Sequence, residues 1–243
     1  MSLFSKTGVA TLHIFRRNVN LYAPEFIFSS DNVEKCMKKF RNMRPIRLQA
    51  QEPNRKAAVL IPICVVNGKV SLLYTLRAPH LKAHRGQVSY PGGMQDIKDK
   101  SLTETALRET EEELGIKQEN IEIWGTGNVI VTRNDMVVLP VVGKIKGDLA
   151  DSTLQINPHE VEEVFTVSLQ DLCHPKHTAY TQFRSLYYSY SMPVFLGGKR
   201  RIWGLTAVIT NVFLRALLPL KAYNHKIHFN PPIKANGSKL QQF

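Results

Sequence analysis

Hydrophobic and polar positions along the 243-residue chain change period several times, and each change predicts an element. Lys56 to Val66 (KAAVLIPICVV) is a near-continuous apolar run, the pattern of a strand buried on both faces. Asn67-Gly68 reads as a two-residue hairpin turn, and Val70 to Arg77 as the returning strand. A polar loop with His80, Lys82, His84, Arg85 and Gly86 follows, then a short strand running into Pro91-Gly92-Gly93. Ile121 to Thr132 and Met136 to Lys146 predict two more strands, and Val161 to Val167 another, followed by a short helix from Leu169. Ser185 to Leu196 alternates around tyrosines, and Leu205 to Leu218 is an apolar helix. Upstream, residues 32–44 predict a short basic helix that ends before Pro45, with a polar link through Pro53. Interleaved helices and strands of this kind predict an α/β protein, a single sandwich of mixed β-sheet between helices. Phe195 and Trp203 are expected in its core.

The stretch from Pro91 to Ile116 carries the chemistry. It joins a glycine-pair turn to a helix bearing Arg108, Glu109, Glu112 and Glu113. At about 100° of rotation per residue, the three glutamates share one face, while Leu107, Thr110 and Leu114 gather on the opposite one. Glutamate runs are commonly solvated helix faces. Here like charges three and four residues apart repel one another, and a bound cation would remove that cost. Mg²⁺ takes oxygen ligands and commonly shares its shell with substrate phosphates, so the pattern points to metal-assisted chemistry on a phosphate. No Ser-His-Asp or Cys-His arrangement suggests a covalent intermediate.

This stretch resembles the box of the Nudix hydrolases, G-x5-E-x7-R-E-U-x-E-E-x-G-U. Arg108 to Ile116 matches its second half, except that Thr110 stands at a position usually aliphatic. Counted from Gly93, the first glutamate of the pattern is Asp99, and the gap to Arg108 is one residue longer than usual. That longer gap, together with Leu72-Leu73-Tyr74-Thr75-Leu76-Arg77-Ala78, Lys82, Gly86 and Tyr90-Pro91-Gly92-Gly93, resembles the coenzyme A diphosphatase branch. Lys82 replaces an arginine of that branch and Tyr90 a phenylalanine; lysine brings charge but not the planar fork of arginine. Further runs, Tyr190 to Leu196 and Arg201 to Thr210, resemble animal mitochondrial members of the branch.

The resemblance implies the Nudix fold and hydrolysis of the diphosphate in coenzyme A or its acyl derivatives, giving 3′,5′-ADP and (acyl-)4′-phosphopantetheine. It implies Mg²⁺ or Mn²⁺ as cofactor, with Glu109 and Glu113 as ligands and Glu112 as a third ligand or the base that deprotonates water. Arg108 is expected to orient Glu109 through a charge-assisted hydrogen bond. Arg77, Lys82, Arg85, Gly92 and Gly93 are the candidate substrate contacts, the three cations serving either an extra 3′-phosphate or the diphosphate itself. Asp96 and Asp99 suit water-mediated metal binding and turn stabilisation equally. At least one of Tyr187, Tyr188 and Tyr190 is expected to face solvent or ligand. The box grips only the diphosphate, so ADP-ribose, NADH, a dinucleotide or an RNA cap remain alternative substrates. A non-catalytic binding module is the alternative of a different class.

A net charge of +12 first reads as a nucleic-acid signal, but it is unevenly placed. Residues 1–56 carry +7, residues 221–243 carry +4, and residues 57–220 only +1. The catalytic region is close to neutral, which argues against a nucleic-acid partner; the resemblance implies a small-molecule one, and no apolar run has the length of a bilayer span. Residues 1–24 are basic and hydroxyl-bearing with no acid, the composition of a mitochondrial transit peptide; a basic tail of a cytoplasmic protein is the alternative. The division expected is a leader at 1–24, a basic helix and linker at 25–55, a catalytic domain at 56–220 and a basic tail at 221–243. Cys36, Cys64 and Cys173 share no metal-ligand spacing and fit a reducing compartment, with Cys64 a small core residue.

Overall fold

The computed structural model describes residues 20–47, 53–81, 84–132, 135–184, 189–225, 227 and 231–233. Lys82, Tyr187, Tyr188, most of the leader and most of the tail lie outside the described residues. The elements are α1 (Pro24–Ile27), α2 (Ser30–Asn42), β1 (Ile46–Arg47), β2 (Arg55–Val66), β3 (Lys69–Arg77), β4 (Val88–Ser89), β5 (Gly92–Met94) and α3 (Leu102–Leu114). There follow β6 (Ile121–Thr126), β7 (Ile130–Val131), β8 (Met136–Asp148), β9 (Val161–Ser168), α4 (Leu169–Cys173), β10 (Thr178–Arg184), β11 (Ser189–Phe195) and α5 (Gly204–Leu217).

β2 is the hub of a mixed sheet. It runs parallel to β8, while β3 and β5 pair with it antiparallel, and β9 extends the sheet on the far side of β3. Flanked by partners on both edges and covered on both faces, β2 has no solvated side, which is why its sequence does not alternate with polar residues. Strand pleating still divides it. Ala58, Leu60 and Cys64 point towards α3 and pack with Ala106 and Leu114. Ile61 and Ile63 point the other way into a larger core with Phe40, Phe213 and Leu214. Helices on both faces of one mixed sheet give the α/β sandwich that the periodicity predicts.

The turn between β2 and β3 has Asn67 at φ 49° and Gly68 at φ 73°, the left-handed pair a tight hairpin requires. Ile121 to Thr132 is interrupted rather than one strand: β6 and β7 are separated at residues 127–129, and each pairs with a different part of β8. β10 is a strand that alternation did not reveal; it pairs antiparallel with β11 as a separate ribbon. The basic helix expected ahead of the catalytic domain is built into the sandwich. α2 buries Cys36, Met37 and Phe40, and Phe40 meets Phe213 of α5 edge-on at 5.8 Å. Its charges belong to its outer face.

Two departures from the family pattern are explained by packing. Thr110 is fully buried, and its hydroxyl donates to Ala106 O at 2.6 Å, so no polar group is stranded. Tyr90 is buried too, with its hydroxyl 2.8 Å from Thr210 Oγ1 and 3.4 Å from the Tyr74 hydroxyl. Tyr74 lies between the rings of Tyr90 and Phe165, at centroid separations of 4.9 and 5.6 Å. The extra oxygen of Tyr90 is therefore matched by a hydroxyl on α5.

Candidate active site

The glycine pair and α3 are brought together by β5. Gly92 has φ 149°, and a Cβ there would sit 2.3 Å from Ala58 O on β2. A Cβ on Gly93 would sit 2.4 Å from the Glu109 carboxyl carbon. Both positions need glycine for contact reasons: one so that β5 can lie against β2, the other so that a carboxylate can lie against the turn. α3 starts at Ser101, whose hydroxyl accepts from Glu104 N, and stops at left-handed Gly115.

Arg108 is the organiser of this turn. Its Nε and Nη2 donate to the two oxygens of Asp99 at 2.9 and 3.0 Å, and Nη2 also donates to Met94 O at 3.2 Å. Nη2 lies 3.0 Å from Glu109 Oε1, and Nη1 donates to Glu112 Oε2 at 3.0 Å. Asp99, with a side chain only 3% exposed, accepts further bonds from Thr105 Oγ1 and Asp96 N, both at 2.9 Å. The bonds from Arg108 hold the Asp99 carboxyl well below the usual range, and Asp99 in turn raises Arg108. Asp99 is thus a clamp for Arg108; of its two expected uses the structural one is observed.

The three carboxylates that converge are not the three that share the helix face. Oxygens of Glu109, Glu113 and Glu160 lie within 4.8 Å of one another. Glu109 and Glu113 are one turn apart, and α3 carries both inward. Glu112 lies about 100° from Glu113 around the helix, leaves the cluster, and stands 51% exposed beside Arg108. Glu160 takes the third place. Sequence reading missed it because it precedes β9, far from the box, with no local pattern to mark it. Its position is set by Ala78 N donating to Glu160 O at 2.9 Å, and by Asn157 N donating to Glu113 O at 3.0 Å.

This donor set fits a hard divalent cation. Glu113 is 2% exposed, and its Oε2 has no hydrogen-bond partner. Burial pushes its carboxyl up to about 8; Arg77 opposes that shift, while Glu109 and Glu160 add to it. Burial also raises Glu109, against the pull of Arg108. Three carboxylates facing one another in a partly desolvated pocket need either protons or a cation. Arg77 Nη1 lies 3.8 Å from Glu113 Oε1, and its buried Nε has no partner.

Arg77, Gly92 and Gly93 also line a cavity of about 670 Å³ that runs between β2, β8 and the start of α5. Arg85 does not line it, and Lys82 lies outside the described residues. His80 Nε2 is 2.9 Å from His159 O and His84 Nδ1 is 3.0 Å from Gln87 Oε1, as polar loop residues would be. Phe195 is buried as expected. Trp203 is not: it is 41% exposed and forms part of the cavity wall.

The box geometry and the carboxylate cluster agree with comparison against known proteins: the model of the NUDIX domain matches residues 54–188. The chain belongs to the Nudix hydrolase family. It is accordingly a hydrolase of diphosphate bonds. The mitochondrial coenzyme A diphosphatase NUDT8 of Mus musculus is 44% identical over 165 residues, 67% of this chain and 78% of its own. The human NUDT8 is 43% identical over 175 residues, 71% of this chain and 73% of its own. Nudix hydrolase 3 of Caenorhabditis elegans is 34% identical over 87% of this chain and 95% of its own. A solved Ap4A hydrolase complex from C. elegans is similar over 47% of this chain and 81% of its own, at 21% identity and a TM-score of 0.40. Among the described residues no helix is long and apolar enough to cross a membrane.

Proposed function

We propose that this Nudix hydrolase cleaves the diphosphate of coenzyme A or its acyl derivatives, releasing 3′,5′-ADP and (acyl-)4′-phosphopantetheine, with Mg²⁺ or Mn²⁺ as cofactor. The observation that carries the reaction is the convergence of Glu109, Glu113 and Glu160 within 4.8 Å, with Glu109 against a glycine turn that lines a large cavity. The substrate class rests on the Leu72–Gly93 segment and on identities of 43–44% to proteins named coenzyme A diphosphatases. The same relatives support a mitochondrial location, with residues 1–24 as the leader.

Glu109, Glu113 and Glu160 would hold the cation. When bound it would neutralise charge on the phosphate oxygens and make a coordinated water more acidic. Arg77, which lines the cavity and lies 3.8 Å from Glu113, is assigned to hold an oxygen of the diphosphate through its guanidinium. Gly92 and Gly93 let that group approach the backbone. Arg108 fixes Glu109, and is a positioning residue. Glu112, outside the three-carboxylate cluster, is assigned to accept the proton of the attacking water. Water oxygen bonds to phosphorus as the anhydride P–O bond breaks, and the two phosphate monoesters leave.

The test uses the full chain with Mg²⁺ or Mn²⁺ and compares coenzyme A, dephospho-coenzyme A, ADP-ribose and NADH, with products separated by chromatography. Release of 3′,5′-ADP from coenzyme A, favoured over the other three and lost in Glu112→Gln, is the expected result. Preference for ADP-ribose or NADH would overturn the substrate assignment and leave the hydrolase intact.

A further inference from the structure

A second feature of the cavity concerns specificity. Trp203 is the N-cap residue of α5 and has 41% of its surface exposed. Trp203 belongs to the wall of the same 670 Å³ space that is lined by Gly92 and Gly93, the turn against which Glu109 lies. The Arg201 guanidinium lies 5.6 Å from the ring centroid, and Arg201 is not part of the cavity wall. A cation thus packs against the indole of a residue that also forms part of the cavity wall. An exposed indole left bare costs hydrophobic free energy that a stacked partner would recover.

We propose that Trp203 is a specificity-determining residue that stacks the adenine ring of the substrate, so that the nucleoside half occupies the α5 end of the cavity. The inference deepens the coenzyme A reading by assigning orientation, and it rests on that reading only for the identity of the other half. The flat indole decides between the two ends of such a substrate. A heteroaromatic base meets it face to face over a whole ring, whereas a flexible amide arm gains little from a planar surface and loses more rotamer freedom on it.

Two measurements test it on the full chain. In steady-state turnover of coenzyme A with Mg²⁺, Trp203→Ala should raise KM about tenfold or more while kcat stays within about threefold, and Trp203→Phe should restore most of the loss. A structural role would instead lower the melting temperature and kcat together. The chain has two tryptophans, so Trp124→Phe leaves Trp203 as the sole indole. In that background 3′,5′-ADP should quench emission saturably and pantetheine should not. Quenching by pantetheine alone, or by neither, overturns the proposal. Quenching by 3′,5′-ADP in a protein that fails to turn over coenzyme A would sustain the stacking role and sink the substrate assignment.

Discussion

Asp99→Asn tests whether the site is built around the Arg108 clamp. Asp99 receives four donors: Arg108 Nε on one oxygen, and Arg108 Nη2, Thr105 Oγ1 and Asp96 N on the other. Asparagine keeps the shape but offers one acceptor. Its better orientation keeps the oxygen facing the last three donors and turns its amide nitrogen towards Arg108 Nε, so one charged hydrogen bond becomes a donor–donor contact. Breaking a buried ion pair from one side costs about 3–5 kcal/mol. Arg108 is 27% exposed and keeps Glu109 and Glu112, which discounts the loss to about 2–4 kcal/mol. For a chain of this size, that is a fall in melting temperature of about 4–16 °C. The slackened guanidinium also frees Glu109, and kcat should fall about 10- to 100-fold. Thermal melts in EDTA and in Mg²⁺, with turnover under saturating metal, measure both effects. A variant that melts within 2 °C of the parent, taken as roughly the shift of less than 1 kcal/mol, and keeps its kcat would refute the clamp.

Three further outcomes are expected. Burial pushes the Glu113 carboxyl up to about 8, above its ordinary value, so the folded state favours its proton. The stability this gives is full below the ordinary carboxyl range and is lost as pH rises through 8; metal displaces the proton, so the rise in melting temperature on adding Mg²⁺ should grow from pH 6 to pH 8.5 and flatten in Glu113→Gln. Glu112→Gln should lower kcat by about 100-fold or more with little change in the metal concentration for half-maximal activity, whereas Glu160→Gln should shift that concentration strongly; equal metal shifts would place Glu112 among the ligands. Thr210→Val should cost about 2 kcal/mol, because it removes the 2.8 Å partner of Tyr90, while Tyr90→Phe should cost about 1 kcal/mol or less; chemical denaturation that ranks them the other way would overturn the hydroxyl network.

The sequence by itself determined what is local. Helical rotation placed Glu109 and Glu113 on one face, Gly115 ended the helix, and Asn67-Gly68 joined two strands, because each depends on residues within one turn of chain. The apolar run of β2 declared a strand covered on both sides. Tertiary structure alone decided the rest. Glu112 satisfies the same helical arithmetic as its neighbours, yet the packing angle of α3 leaves it beside Arg108 and outside the cluster. Glu160 carries no signal where it stands; antiparallel pairing of β3 with β9 sets Arg77 opposite Val161 and so delivers it to Glu113. Trp203 reads as core because tryptophan is apolar, and only the gap between the sheet and the start of α5 makes it a wall. Local geometry is written within a few residues, whereas a site is assembled by strand register and helix packing, and those are fixed by contacts between residues distant in sequence.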